Sequence, residues 1–244
     1  MEHKKDGLLT KLSRVMEVQA SRLRQWTQPK EFIQIQEFTM GDRRRMAMHY
    51  AIAQDLEKRK IFGDFVECGV YNGGSAAVFA LGLKNTVEKI WLYDSFSGMP
   101  RPGEIDQREA LNFVGECLGS EEKVRQAMAI SGIPKGRYVI RRGLFKDTFL
   151  LELPQKISLL HIDCDWHESV LACLNTFYDR VVAGGVILLD DFGHWEGARE
   201  ALFDFLESRH LRPVLERFGH SQLFWVKGRL HNRDFMGRES VLEK

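Results

Sequence analysis

The sequence predicts an α/β fold: a Rossmann-like sheet of seven strands with a terminal β-hairpin, preceded by an N-terminal helical extension. Three observations carry this. From residue 61 onward, apolar runs of strand length alternate with segments of helical period. The runs are nearly continuous in apolar residues, as in parallel strands covered on both faces. The last two runs follow one another directly across Gly219 and His220, which predicts a hairpin.

Residues 1–60 contain no strand pattern and read as an N-terminal helical extension, with helices at 7–26 and 41–59 on either side of "TQPKEF". "GDFVECGV" (63–70) is the first strand and stops at glycines. "GGSAAVFALGLK" (73–84) is small and apolar, like a buried helix. "KIWLYDSF" (89–96) and "YVIRRGLF" (138–145) are strands two and three, and a short helical "KDTFLLEL" follows. "ISLLHIDCD" (157–165) is the fourth strand. "HESVLACLNTFYDRVV" (167–182) has helical spacing at Val170, Leu171, Leu174, Phe177 and Tyr178. "GGVILLDDF" (184–192) is the fifth strand. "HWEGAREALFDFLESRHL" (194–211) is an amphipathic helix with Ala201, Leu202, Phe205 and Leu206 inward. "PVLERFG" and "SQLFWVKG" form the hairpin. Five β/α units closed by a hairpin outline a Rossmann-like methyltransferase sheet, whereas a dinucleotide dehydrogenase usually adds another β/α unit. Residues 61–244 thus read as one domain. Its insertion at 97–135 opens with the Gly/Pro-rich "SGMPRPGEIDQ" and turns helical through "SEEKVRQAMAISG". A long loop beside a ligand crevice reads equally as a lid or as a surface excursion.

Composition narrows the partners. The 244 residues are 44% hydrophobic, with 35 Lys plus Arg against 34 Asp plus Glu. That balance gives no global reason to expect nucleic acid or an acidic membrane, and the basic run "GDRRRMAM" reads as a solvated helix face. No apolar run approaches the ~20 residues of a membrane span. Cys68, Cys117, Cys164 and Cys173 match neither zinc nor CxxC spacing. A reduced, cytoplasmic setting is expected. The amphipathic leader suggests a homodimer or a higher homo-oligomer.

In an open parallel sheet, ligands bind outside the C-terminal ends of the strands. "VECGVYNGGS" follows strand one, and Gly69, Gly73 and Gly74 let the backbone turn and approach a ligand. Tyr71 stands where GxGxxG has its second glycine, so a pyrophosphate cradle is disfavoured. Glu67 would repel a pyrophosphate but could pair with the α-amino group of an amino-acid-like ligand. Asp94 ends strand two, where an acidic residue accepts ribose hydroxyls or caps the turn in "DSFSG". A ligand with an amine and a ribose but no phosphate suits this half, and S-adenosylmethionine is the common one. Asp163, Asp165, Asp190 and Asp191 end strands four and five. Their repulsion needs a cation, a shared proton or wide separation in space; for a cation, oxygen ligands without Cys or a convincing His set favour Mg²⁺, Mn²⁺ or Ca²⁺ over zinc. Asp191 and Asp165 also fit as N-caps of the helices that follow them, and His167 reads as a first-turn helix residue.

Together, "GDFVECGVYNGGS", "LYDSFSGMPRP", "GLFKDTF", "LLHIDCDWHESVLACLNTFYDRVVAGGVILLDDFG" and "LFWVKG" resemble the macrocin O-methyltransferase family over roughly residues 60–228. The resemblance implies a metal-dependent enzyme that moves a methyl group from S-adenosylmethionine to a sugar hydroxyl of a small-molecule glycoside. By resemblance, Asp163, Asp190 and Asp191 would hold the metal, and Asp165 would be the general base. Glu67, the Gly69–Ser75 turn with Tyr71, Gly73 and Gly74, Asp94 and Ser95 would hold the donor beside Asp163, with Gly143 and Phe145 near the adenine. The family often has an apolar or aromatic residue at position 167, so His167 leaves a second proton acceptor open. Three other readings remain: a catechol or phenolic acceptor, a donor-binding scaffold protein, and a dehydrogenase.

Overall fold

The computed structural model describes residues 28–229. The helix expected at 7–26 lies outside them. Seven strands form one sheet: β1 (Asp64–Cys68), β2 (Ile90–Asp94), β3 (Tyr138–Arg142), β4 (Ile157–Ile162), β5 (Val181–Leu189), β6 (Glu216–Phe218) and β7 (Gln222–Val226). Their order is β3-β2-β1-β4-β5-β7-β6. The first five are parallel, and β7 runs antiparallel to β5 and pairs with β6 as the terminal hairpin. The order reverses between β1 and β4, the switch point at which open α/β sheets bind ligands.

Helices cover both faces. They are α1 (Glu31–Ile35), α2 (Arg43–Lys58), α3 (Gly74–Gly82), α4 (Glu121–Ile130), α5 (Phe145–Thr148), α6 (His167–Phe177) and α7 (Glu196–Ser208). Strand periodicity divides the core in two. Phe65, Leu159 and Leu188 pack with α1 to α4. Val66, Leu160 and Ile187 pack with α6 and α7. Phe32, Ile35, Met46, Ile52 and Leu56 are buried in the first of these layers, so residues 31–58 share a core with the sheet.

Two boundaries differ from the sequence expectation. "TQPKEF", expected as a connector, runs into helix α1. The helix expected to reach residue 182 ends at Phe177, and a 3₁₀ turn (Tyr178–Arg180) leads into β5. Val181 pairs with Ile157 there, so two β-branched residues that fit a helix by polarity join the sheet instead. Insertion 97–135 is ordered by a 3₁₀ segment (Arg108–Phe113) and α4. No helix among the described residues is long and apolar enough to cross a membrane.

Candidate active site

The C-terminal ends of the strands open into a cavity of about 710 Å³. Two ladders run past the strand ends and deliver the acidic residues to it. The Asp163 amide donates to the Cys68 carbonyl, and the Asp190 amide to the Ile162 carbonyl. Asp163, Asp165, Asp190 and Asp191 all line the cavity, as do Gly69, Tyr71 and Ser75 on one side and Asp94, Ser95, Gly143 and Phe145 on another.

The β1–α3 turn is built from glycine. Gly69 has φ +87°, and a Cβ there would overlap the Asp163 carbonyl oxygen. The turn therefore lies against the β4 tip. Gly73, at φ +83°, N-caps α3. Asp94 organises this turn from β2. Its Oδ2 accepts the Val70 and Tyr71 amides, both at 2.8 Å, and its Oδ1 accepts Phe96 N at 2.7 Å. The carboxylate thus caps its own turn, and it still has lone pairs facing the cavity.

Glu67 is fully buried and does not line the cavity; it stands behind Ser75. Its Oε1 accepts Ser75 Oγ at 2.5 Å and meets His161 Nδ1 at 2.8 Å. Its Oε2 has no hydrogen-bond partner among the described residues. A hydroxyl whose proton points at Glu67 turns its lone pairs outward, where an ammonium group can donate to them.

Asp163, Asp190 and Asp191 bring carboxylate oxygens within 4.8 Å of one another. Asp190 Oδ2 is held by Arg45 Nη1 at 2.7 Å, while its Oδ1 accepts Gln222 Nε2 and lies 3.7 Å from His161 Nε2. Arg45 also donates to Ser221 Oγ at 3.0 Å. Gln222 Nε2 further contacts His49 Nε2 at 2.7 Å. His49, His161 and Asp190 form a second cluster of ligand-type atoms, but the Gln222 amide and the Arg45 guanidinium fill it as a hydrogen-bonded network.

The electrostatics follow from this layout. Burial, then the charges of Asp190, Asp191 and Asp165, push Asp163 well above the usual carboxylate range. Burial, then Asp165 and Asp190, do the same to Asp191. Burial raises Asp165 to about 6 against the opposing Trp195 hydrogen bond. Burial would also raise Asp190, but His161 and Arg45 outweigh it and hold it at about 2. Burial disfavours a charged His161, yet Asp190 and Glu67 lift it to about 9. Burial and the neighbouring His161 keep His49 neutral, at about 3.

These shifts predict a pH-dependent stability. His161 is raised above its unfolded value of 6.5, so its contribution is complete below pH 6.5 and is lost as pH rises through about 9. Raised carboxylates slope the same way at lower pH, because folding favours their protonated forms. The metal-free protein is expected to melt about 5 °C lower at pH 9 than at pH 6.5, from a contribution of order 2–3 kcal/mol. Scanning calorimetry in EDTA checks this, and a flat profile across that window would remove the His161 contribution.

The oxygens fit a hard dication. The donor set is carboxylate only, Asp191 Oδ2 is buried with no hydrogen-bond partner among the described residues, and the burial and mutual repulsion that raise Asp163 and Asp191 are what a bound cation offsets.

The capping alternatives resolve elsewhere. The N-cap of α7 is Trp195, and Asp191 supplies only its main-chain carbonyl to His194 and Trp195. The N-cap of α6 is Trp166. Asp165 sits in left-handed conformation at φ +61° and accepts Trp195 Nε1 at 2.9 Å. His167 points away from the carboxylates and pairs with Asp204 of α7 at 2.9 Å, so it is not placed as a second proton acceptor. Sequence reasoning missed Arg45, which it read as part of a solvated face; the side chain turns inward to Asp190 because that buried carboxylate attracts it. His161 was also missed, although a polar residue inside an apolar strand signalled it.

Comparison with known proteins identifies the family. A curated relative from Streptomyces olivaceus, 8-demethyl-8-(2,3-dimethoxy-alpha-L-rhamnosyl)-tetracenomycin-C 4'-O-methyltransferase, is 27% identical over 171 residues, 67% of this chain and 65% of that protein. The chain therefore spans just under two thirds of that relative's length. Demethyldecarbamoylnovobiocin O-methyltransferase from Streptomyces niveus is 26% identical over 185 residues, 72% of this chain and 70% of the relative. The solved structure of the O-methyltransferase NovP superposes with a TM-score of 0.70 at 24% identity, over 79% of this chain and 83% of that one. The family profile described as Macrocin-O-methyltransferase (TylF) matches residues 11–227, spanning the glycine turn, all four strand-tip aspartates and the terminal hairpin. By that match, the chain belongs to the macrocin O-methyltransferase family.

Proposed function

We propose that this protein is a metal-dependent O-methyltransferase that consumes S-adenosylmethionine and methylates a sugar hydroxyl of a small-molecule glycoside. One observation carries the reading: a single cavity joins a glycine turn backed by Ser75 and Glu67 to three carboxylates with oxygens within 4.8 Å of one another. The relatives named for rhamnosyl-tetracenomycin and novobiocin substrates support the acceptor class.

Each residue then has a task. Ser75, held by Glu67, receives the donor's ammonium group. Asp94 accepts the ribose hydroxyls while bracing the turn. Gly143 and Phe145 border the adenine. Asp163, Asp190 and Asp191 would hold Mg²⁺ or a similar hard dication, which would supply positive charge that makes an acceptor hydroxyl more acidic. Asp165, raised to about 6, takes the hydroxyl proton. The acceptor oxygen attacks the methyl carbon, the carbon–sulfur bond breaks, and S-adenosylhomocysteine leaves. Such a displacement depends on alignment, which these fixed side chains provide.

Calorimetry with S-adenosylmethionine tests the donor half. Glu67→Ala and Asp94→Ala are each expected to weaken binding about 10- to 100-fold, the effect of losing hydrogen bonds to a charged group. Unchanged affinity in both variants would refute the donor site, and tighter binding of NADH would revive the dehydrogenase reading. An acceptor screen that sets 4-nitrophenyl α-L-rhamnoside against catechol separates sugar from phenolic acceptors.

A further inference from the structure

Insertion 97–135 makes three contacts with the residues that flank Asp165. Asp106 is buried, and its Oδ1 accepts the His167 amide at 2.9 Å. It thereby caps α6 from 61 positions away in the chain, at a helix whose own N-cap residue makes no side-chain cap bond. Its Oδ2 accepts the Gly103 amide at 2.8 Å, which ties the insertion to the same carboxylate. Trp166 Nε1 donates to the Pro100 carbonyl at 2.8 Å. Phe113 packs edge-on against Trp195, with ring centroids 5.1 Å apart. Trp195 is the residue that holds Asp165 Oδ1, and Trp166 packs against it at 4.9 Å. Gly197 leaves room for this arrangement, since a Cβ there would overlap the Asp106 carboxylate. Pro100, Arg101 and Gly103 of the same stretch line the cavity.

A left-handed aspartate followed by a helix start is not a self-supporting mount. Its backbone conformation is costly for a residue other than glycine and persists only where the surroundings hold it. Here Trp195 holds the side chain, and the insertion holds Trp166, the His167 amide and Trp195 around it. We propose that Asp106 is a positioning residue: it latches the insertion over the cavity and, by capping α6, sets the orientation of Asp165. Closure over the acceptor and placement of the base are then one event. This rests on the reading of Asp165 as the base.

The test uses the full chain with Asp106→Ala and Asp106→Asn. Hydrogen exchange is read first and needs no acceptor. In Asp106→Ala the amides of 166–168 and of 99–116 are expected to exchange about tenfold faster, while S-adenosylhomocysteine affinity by calorimetry stays within about twofold. Asparagine keeps one acceptor for two amides, so Asp106→Asn should fall between wild type and alanine. With the rhamnoside acceptor, kcat should drop about 10- to 100-fold in Asp106→Ala with little change in donor KM, and Asp106→Asn should recover part of it. Unchanged exchange at 166–168, or donor affinity lost in parallel with exchange, would overturn the proposal. So would faster exchange with undiminished kcat, and that result would leave Asp165 as the base. Failure of Asp165 itself is read separately, from its asparagine variant. If the rhamnoside is not turned over, exchange and donor affinity decide alone.

Discussion

Asp165→Asn is expected to lower turnover about 10²- to 10⁴-fold, the usual worth of a positioned general base. The substitution is close to isosteric. The asparagine carbonyl still accepts the indole hydrogen of Trp195, so the left-handed backbone at 165 keeps its partner. What disappears is the negative charge and the capacity to take a proton. Donor affinity by calorimetry should remain within about twofold, since Ser75 lies in α3 and Asp94 at the end of β2, and manganese binding followed by electron paramagnetic resonance should persist. An unaltered rate would strip Asp165 of the base role and leave it as the acceptor that orients Trp195.

The second large effect is chelation. EDTA is expected to reduce turnover on the order of 10²-fold or more, and Mg²⁺ to restore it, because a bound dication is worth several kcal/mol of charge stabilisation. The same ion would offset the burial and mutual repulsion that drive Asp163 and Asp191 upward. Ligation needs the deprotonated carboxylates, so metal affinity should rise with pH and binding should release protons, measurable by titration calorimetry in buffers of different ionisation enthalpy. Arg45 sharpens the expectation. Its guanidinium occupies one oxygen of Asp190, so Arg45→Met should bind Mn²⁺ more tightly than wild type. Full activity in chelator would reject the metal role and leave the fold untouched.

Much of the site was legible because polarity breaks sharply where a buried strand surfaces. Ile162 to Asp163 and Leu189 to Asp190 each pass from core to carboxylate in one step, and in a parallel sheet that step occurs on the ligand side. The glycine turn was legible for a similar reason, since only glycine is at ease at φ +87° against a neighbouring carbonyl. Pairings across long separations were less so. Arg45 lies 145 positions from Asp190, and its neighbours in "RRR" gave it the look of a solvent face. Yet Arg45, His49, Ile52 and Leu56 follow helical spacing, and the last three are buried; that stripe marked the arginine as inward. Asp106 was illegible by composition, because an acidic residue in a Gly/Pro-rich loop resembles any other until the helix it caps is in place. The end of α6 was misjudged because Val181 and Val182 suit either element by polarity, and the pairing of Val181 with Ile157 of β4 decides the matter only in three dimensions.

The terminal hairpin is easily taken for trim on the sheet's edge. Ser221 and Gln222 nevertheless reach Arg45 and Asp190 from it. A chain shortened before residue 216 would therefore lose more than two strands: its fifth-strand aspartate would be stripped of props that hold it at a fixed angle. A graft that exchanges the hairpin between relatives would retune Asp190 from the far border of the sheet.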